Sequence, residues 1–333
     1  MNQPRGSALI IVMWLMVLLS VVVAHYSREV RIETDLATDY IQREKAYYLA
    51  LAGTQRAILE ISRDTEPSID TLKDSWHANP EAYKDVPVGH TGTYSVQVVD
   101  EDGKIDLNSV DHGVLSRLLY AMGVKRDQLE TIVDSILDWM DEDDIRRLKG
   151  AENDFYEKLD PPYQSKDGPF DSVLELLLVQ GVTEDIFWGY EGEDGFVPGL
   201  VDLVTVYQSK PVININTAPG PVLEAVLGVG ASTVEAILHS RDAGSSSGTP
   251  SSLKTLSTSQ AGMPMVTFSR NFGVTSTGTV SNSGTKRTVR AIVSRERGVL
   301  RVIAWDDLWE RIAIPYVLDE DENDRDKARK VMR

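Results

Sequence analysis

Between Asp138 and Asp160 the chain gathers carboxylates at high density. Asp138, Asp141, Glu142, Asp143 and Asp144 fall within about two helical turns. Glu152, Asp154 and Asp160 follow on a segment of loop-like composition. Carboxylates this close repel one another unless one of three things happens. Water can solvate them, Arg146, Arg147 and Lys149 can pair with them, or a cation can neutralise them. The first two give an ordinary charged surface. The third gives a site for a hard cation such as calcium, which takes oxygen ligands. The spacing is not that of an EF-hand, which alternates acids around a glycine at the sixth position. Paired carboxylates can also serve general acid–base catalysis. No nucleophile and no pocket-forming glycines accompany them here, so that chemistry is not expected.

The wider composition narrows the classes. The chain has 333 residues and a formal charge of −17, with no cysteine. That length predicts more than one domain. The absence of cysteine excludes a disulfide framework, zinc–thiolate sites and cysteine catalysis. Residues 101–200 carry 24 Asp and Glu against 9 Lys and Arg, so this stretch supplies most of the negative charge. A chain so acidic lacks the basic clusters that displace counterions from nucleic-acid phosphates.

The elements that must carry this cluster begin at the amino terminus. Ser7 to Ala24 contains no charged residue. Its 18 residues would span about 27 Å as a helix, close to the hydrocarbon thickness of a bilayer. A soluble helix would keep a polar face. A cleaved secretory signal would end in small residues and a break. Instead Val30, Ile32, Leu36, Tyr40, Ile41, Ala46, Tyr47, Ala50, Leu51, Ala57, Ile58 and Ile61 continue at helical spacing, without proline and with no glycine before Gly53. One helix from about Ser7 to about Ser62 is predicted, half in lipid and half in water.

An internal repeat follows. Ile105–Leu115 aligns without a gap on Ile213–Leu223, with identical Ile, Asn, Val and Leu at 105/213, 108/216, 114/222 and 115/223. Asn108-Ser109 and Asn216-Thr217 ahead of apolar periodic runs read as helix N-caps. Gly123, Gly228 or Gly230, and Gly181 would permit tight turns between short helices. Such helix-hairpin-helix units can bind DNA backbone through glycine amides, but the acidic flanks favour a structural role.

Taken together, the basic leader ending at Gly6, the uncharged stretch and its unbroken amphipathic extension resemble type IV pilin-like proteins. The resemblance implies cleavage between Gly6 and Ser7 by a prepilin peptidase and methylation of Ser7, although most members begin with Phe. It also implies that Ile11 and Trp14 serve membrane and helix packing. Pilins usually carry Glu where this chain has Ile11, so a subunit with no neighbour above it is expected. A second resemblance is to the type II secretion system protein K family of minor pseudopilins. It rests on Asp138-Trp139-Met140-Asp141, Gly150-Ala151-Glu152, Pro161-Pro162-Tyr163, Gly168-Pro169-Phe170-Asp171-Ser172 and Asn214–Pro219. This resemblance implies a structural calcium ion, with Asp138, Asp141, Asp143, Asp144, Glu152 and Asp154 as candidate ligands. It implies minor pseudopilins of the I and J types, a prepilin peptidase, the inner-membrane assembly platform, membrane lipid and secreted cargo as partners, and no nucleic acid. The implied setting is the bacterial inner membrane, crossed once, with the bulk of the chain periplasmic. The implied role is non-enzymatic, at the tip of the pseudopilus. A minor pilin priming a type IV pilus, or a membrane-tethered DNA-binding protein, would be the alternatives.

The expected fold is α+β, a pilin-like long N-terminal helix packed on an antiparallel sheet with a large inserted helical domain. Thr91–Asp106 alternates, with Tyr94, Val96 and Val98 on one face, and strands are expected from Met265, Lys286 and Val299. The expected divisions are a leader (1–6), the long helix (7–62), a sheet region (63–104 and 265–316) and a helical insert (105–242, with units 105–190 and 213–242). A Ser/Gly-rich flexible loop (243–264) and a charged tail (317–333) complete the chain.

Overall fold

The computed structural model describes residues 7–192, 195–243 and 263–306. The leader with Gly6, nearly all of the 243–264 loop and the 317–333 tail lie outside the described residues. The first element, α1, is one helix, Ser7–Ser62. Its 56 residues extend about 84 Å. Leu9 to Val23 is exposed throughout, whereas Ala46, Leu49, Ala50, Ala57 and Ile61 are buried at helical spacing. The first part is long and apolar enough to cross a membrane, and fits a single-pass anchor.

The buried stripe lies on a five-stranded antiparallel sheet. In spatial and chain order its strands are β1 (Val86–Val88), β2 (Gly92–Asp100), β3 (Asn271–Val280), β4 (Lys286–Glu296) and β5 (Val299–Asp306). Tyr94, Val96 and Val98 of β2 face the helix as their alternation predicts, joined by Trp76, Phe272, Val274, Ala291 and Val293. The β4–β5 turn places Arg297 and Gly298 at positive φ, the primed geometry whose twist matches a hairpin. Helix and sheet approach closely because glycines leave room. A Cβ on Gly278 would overlap the Ala46 carbonyl and the Ala50 amide, and one on Gly53 would overlap Ser276.

Between β2 and β3 the chain builds a second core running from Ile105 to Met263. Helices α2 (His112–Ala121) and α3 (Arg126–Met140) form one hairpin, turned at Gly123 with φ 80°. Helices α4 (Gly220–Leu227) and α5 (Ala231–Ala243) form the other, with Gly228 as a left-handed C-cap. Arg117 of α2 ties the two by donating Nε–H to the Ala225 carbonyl at 2.6 Å.

Two sequence readings are corrected. The segment from Met265 is not one strand. Met265–Val266 pairs in parallel with Ile213–Asn214, and β3 proper begins at Asn271. The Ser269 side chain and amide are instead spent on Asp100 and Asp70. Nor are Asn108 and Asn216 N-caps. Asp111 caps α2, accepting from the Val114 amide, and Pro219 stands before α4. Asn108 instead brackets Phe170, accepting its amide at 2.7 Å and donating to its carbonyl at 3.0 Å. Asn216 donates to the Thr267 carbonyl. Both repeats share an Asx turn one step earlier: Asp106 accepts from the Asn108 amide, and Asn214 from the Asn216 amide.

Candidate functional site

The acidic cluster is built on the last turns of α3. Leu129, Ile132, Val133 and Ile136 face the helical core, and Asp134 and Asp138, four residues apart, are carried into burial beside them. The following loop folds back over these two carboxylates. The Lys149 amide donates to Asp134 at 3.0 Å, and the Arg147 amide reaches Asp138 at 3.2 Å. Gly150 makes that return possible, since a Cβ there would overlap the Asp138 carboxylate. Below the loop, Trp139 meets Tyr156 edge-on at 5.3 Å and stacks on Phe170. The Pro-Pro-Tyr and Pro-Phe-Asp segments thus supply a floor, through Tyr163 and Phe170.

One guanidinium serves two acids. Arg147 Nη1 donates to Asp138 Oδ1 at 2.6 Å and to Asp141 Oδ2 at 2.5 Å. Glu152 is only 3% exposed, yet neither of its carboxylate oxygens has a hydrogen-bond partner. Asp141 Oδ1 is buried and unpartnered as well. Burial, then repulsion from Asp138, Asp141, Asp167 and Asp144, pushes the Glu152 pKa up to about 7. Burial also raises Asp138, against the opposing pull of Arg147.

The predicted ligand set therefore divides. Asp138, Asp141 and Glu152 are brought together, with Asp144 close enough to act on Glu152. Asp143 is exposed and caps its own turn, accepting from the Ile145 amide at 2.8 Å. Asp154 is exposed and lies 3.6 Å from Lys158 one turn on. Asp167, beside Ser165 and Asn153, belongs to the neighbourhood, though its place in the sequence does not suggest it. Among the described residues, no three His, Asp or Glu side chains converge on one point as a ready cage. The donor chemistry nonetheless fits a hard cation, because three buried carboxylate oxygens here lack any partner.

A second polar cluster, missed in sequence, joins the sheet to the helical module. Asp100, at the end of β2, is buried and accepts from Asn214 Nδ2 at 3.1 Å, from Thr217 Oγ1 and from Ser269 Oγ. Asn214 also donates to the Asp70 carbonyl and to Ser269. Asp70 accepts the Ser269 amide and pairs with Arg295, whose other nitrogen holds Asp64 at 2.7 Å. Glu101 pairs with Lys104 and Arg290, which outweigh its burial and lower its pKa. Burial raises Asp100 to about 7 and Asp70 to about 6. Asp64 and Asp70 directly follow α1, so the seam lies at the end of α1 remote from the apolar anchor.

Comparison with known proteins uses both parts of this architecture. Residues 96–190, which contain α2, α3 and the acidic loop, match the family model described as type II secretion system (T2SS), protein K. The chain is similar to proteins of the type II secretion system named protein K. It is 24% identical over 254 residues to the type II secretion system protein K of Pseudomonas aeruginosa, covering 71% of this chain and 72% of that one. A relative from Escherichia coli (strain K12) is 29% identical over 206 residues, covering 56% of this chain and 60% of that protein's length. The fold matches a chain in the crystal structure of the GspK-GspI-GspJ complex from the enterotoxigenic Escherichia coli type 2 secretion system. That match has a TM-score of 0.61 and 17% identity, and covers 82% of this chain and 98% of that one. The α+β architecture is thus shared with a chain of that complex.

Proposed function

We propose that this chain is a minor pseudopilin that caps the tip of a type II secretion pseudopilus, initiates its assembly and supports protein export. The observation that carries the reading is the placement of the helical module. It sits beyond the far end of a helix of about 84 Å whose opposite end is apolar and uncovered. A filament of parallel helices can continue below such a subunit. A module of this bulk leaves a following subunit no equivalent place above it. Ile11 agrees, since it offers no carboxylate to a preceding neighbour in the membrane. The role is scaffolding rather than catalysis. The chain is held in the bacterial inner membrane with its folded part periplasmic, after cleavage between Gly6 and Ser7.

Partners of the I and J types are tested by co-expression with prepilin peptidase and purification in detergent. The expected result is a ternary complex in which this chain begins, by intact mass, at Ser7. Failure to retain either candidate removes the tip-complex reading, and a chain beginning at Met1 removes the processing.

Asp138, Asp141 and Glu152 would hold calcium, which would supply charge neutralisation and no bond-making step. Buried acids at this site and at the seam also make stability depend on pH. Asp70, Asp100 and Glu152 all have folded pKa values above their unfolded values. Their stabilising contribution is full below about pH 4 and is lost as pH rises through about 6 to 7. Glu101, shifted the other way, stays ionised across that window. In chelator, melting should fall by about 5 °C or more between pH 5 and pH 8. Calcium at pH 8 should restore part of that loss in the wild type and none in Glu152→Gln. A melting point indifferent to calcium at pH 8 would remove the ion from the reading.

A further inference from the structure

The acidic site contains its own cation. Arg147 bridges Asp138 and Asp141 with one nitrogen, and its backbone amide holds Asp138 as well. One guanidinium charge is thereby shared between two carboxylates, while the buried Glu152 and one oxygen of Asp141 stay without a hydrogen-bond partner beside them. A divalent ion drawn to Glu152 needs further oxygens to complete its shell. The carboxylates that repel Glu152 most strongly are Asp138 and Asp141, both now paired with the guanidinium. A doubly charged ion and a guanidinium cannot share the same lone pairs at close range.

We propose that Arg147 and a divalent cation compete for Asp138 and Asp141, so that Arg147 acts as a displaceable internal counter-ion. This deepens the calcium reading and rests on it. The loop that would respond runs from Asp141 to Lys149. It carries Ile145 and Leu148, 75% and 92% exposed, apolar side chains that its present shape leaves in water. Arg147 leaves the carboxylates when the ion arrives, and this loop is re-formed around the ion. The guanidinium also explains why the carboxylates do not stand as an open cage. Ion binding must first break two charge-assisted hydrogen bonds, so apparent affinity falls with the fraction of molecules in which Arg147 is seated. If that fraction is about nine-tenths, removing the guanidinium tightens binding about tenfold.

The test is calcium titration of the full chain in detergent, by calorimetry, for wild type, Arg147→Gln and Glu152→Gln. Arg147→Gln should bind calcium about tenfold more tightly than wild type and lose more melting temperature than wild type in chelator. Glu152→Gln should lose binding and, in chelator at pH 8, melt at or above wild type, because it removes a buried carboxylate without a hydrogen-bond partner. Equal affinities of wild type and Arg147→Gln would overturn the competition and leave the calcium site standing. Weaker binding by Arg147→Gln would make Arg147 a support of the site and overturn the proposal equally. Absence of calcium binding in both would overturn the site and the competition together. Should Arg147→Gln fail to fold, phenylglyoxal labelling of the wild type gives a separate reading by mass spectrometry. Calcium should speed modification of Arg147 and leave Arg146 unchanged. An Arg147 rate equal with and without calcium, in protein that binds the ion, would overturn the displacement.

Discussion

Gly278→Ala should separate the long helix from the sheet and be among the most destabilising single-methyl changes in this chain. The expectation follows from what the added carbon would meet. At Gly278 it is backbone, the Ala46 carbonyl and the Ala50 amide of α1, with the Leu49 side chain beside them. Backbone in the middle of a hydrogen-bonded helix cannot rotate aside as a side chain can. The helix must lift, and lifting it uncovers the stripe formed by Ala46, Leu49 and Ala50. Overpacking of this kind costs about 3 kcal/mol or more when the obstacle is rigid. At a few degrees per kcal/mol, melting should fall by about 10 °C. Trypsin should then cut at Arg43, Lys45 and Arg56 under conditions in which the wild type resists. Gly230→Ala is the control, because a Cβ there meets nothing within 4 Å. A Gly278→Ala protein that melts within about a degree of wild type would show that the helix is not held by this contact.

The second large effect is expected at the seam. Asn214→Leu preserves approximate volume and removes every side-chain hydrogen bond of Asn214, those to Asp70, Asp100, Ser269 and Asn216. Asp100 is left with two side-chain donors inside a buried site, and the Asp70 carbonyl loses its side-chain donor. Breaking one member of a buried charged network costs about 3–5 kcal/mol. The loss falls on the junction more than on either core. Calorimetry should therefore show one unfolding transition in the wild type and two in the variant, one for the sheet and one for the helical module. Asn108→Leu is the informative partner. Among the described residues its side-chain bonds run to the Phe170 backbone within the module, so it should destabilise without splitting. If Asn214→Leu unfolds in one transition at the wild-type temperature, the seam does not couple the two cores.

These cases show what could be read in sequence. The long helix was legible because an uncharged stretch from Ser7 runs, without proline, into a helical period that persists to Ile61. The strands were legible where one face is buried, as at Tyr94, Val96 and Val98. The carboxylate cluster was visible as composition, but its internal division was not. Asp143 and Asp154 are satisfied locally, by a turn amide and by a lysine four residues on. Glu152 differs only because the chain folds it under Asp138 and Asp141. The seam was hidden for a related reason. Asp70, Asp100, Asn214 and Ser269 are separated by up to 199 positions, and nothing local marks them as one another's partners. Asn108 and Asn216 were misread because an Asn before an apolar run has an ordinary local use. Here that use was overridden by distant backbone. A signal did exist in Asp100-Glu101-Asp102, three acids continuing an apolar alternation into buried ground.

The register of the central strands has a topological consequence. Asp100 pairs with Phe272, and the whole helical module lies between those two residues. In chain terms the module is an oversized turn, and β2–β3 is its stem. Its two ends leave the sheet only about 5 Å apart. The module can therefore lengthen or shorten without moving any other strand, provided its ends stay close and the contacts of Asn214 and Thr217 with Asp70 and Asp100 are kept. A load applied to it enters two central strands side by side. Neither edge strand stands between the module and the stem, so the sheet is loaded along its middle rather than peeled from its margin.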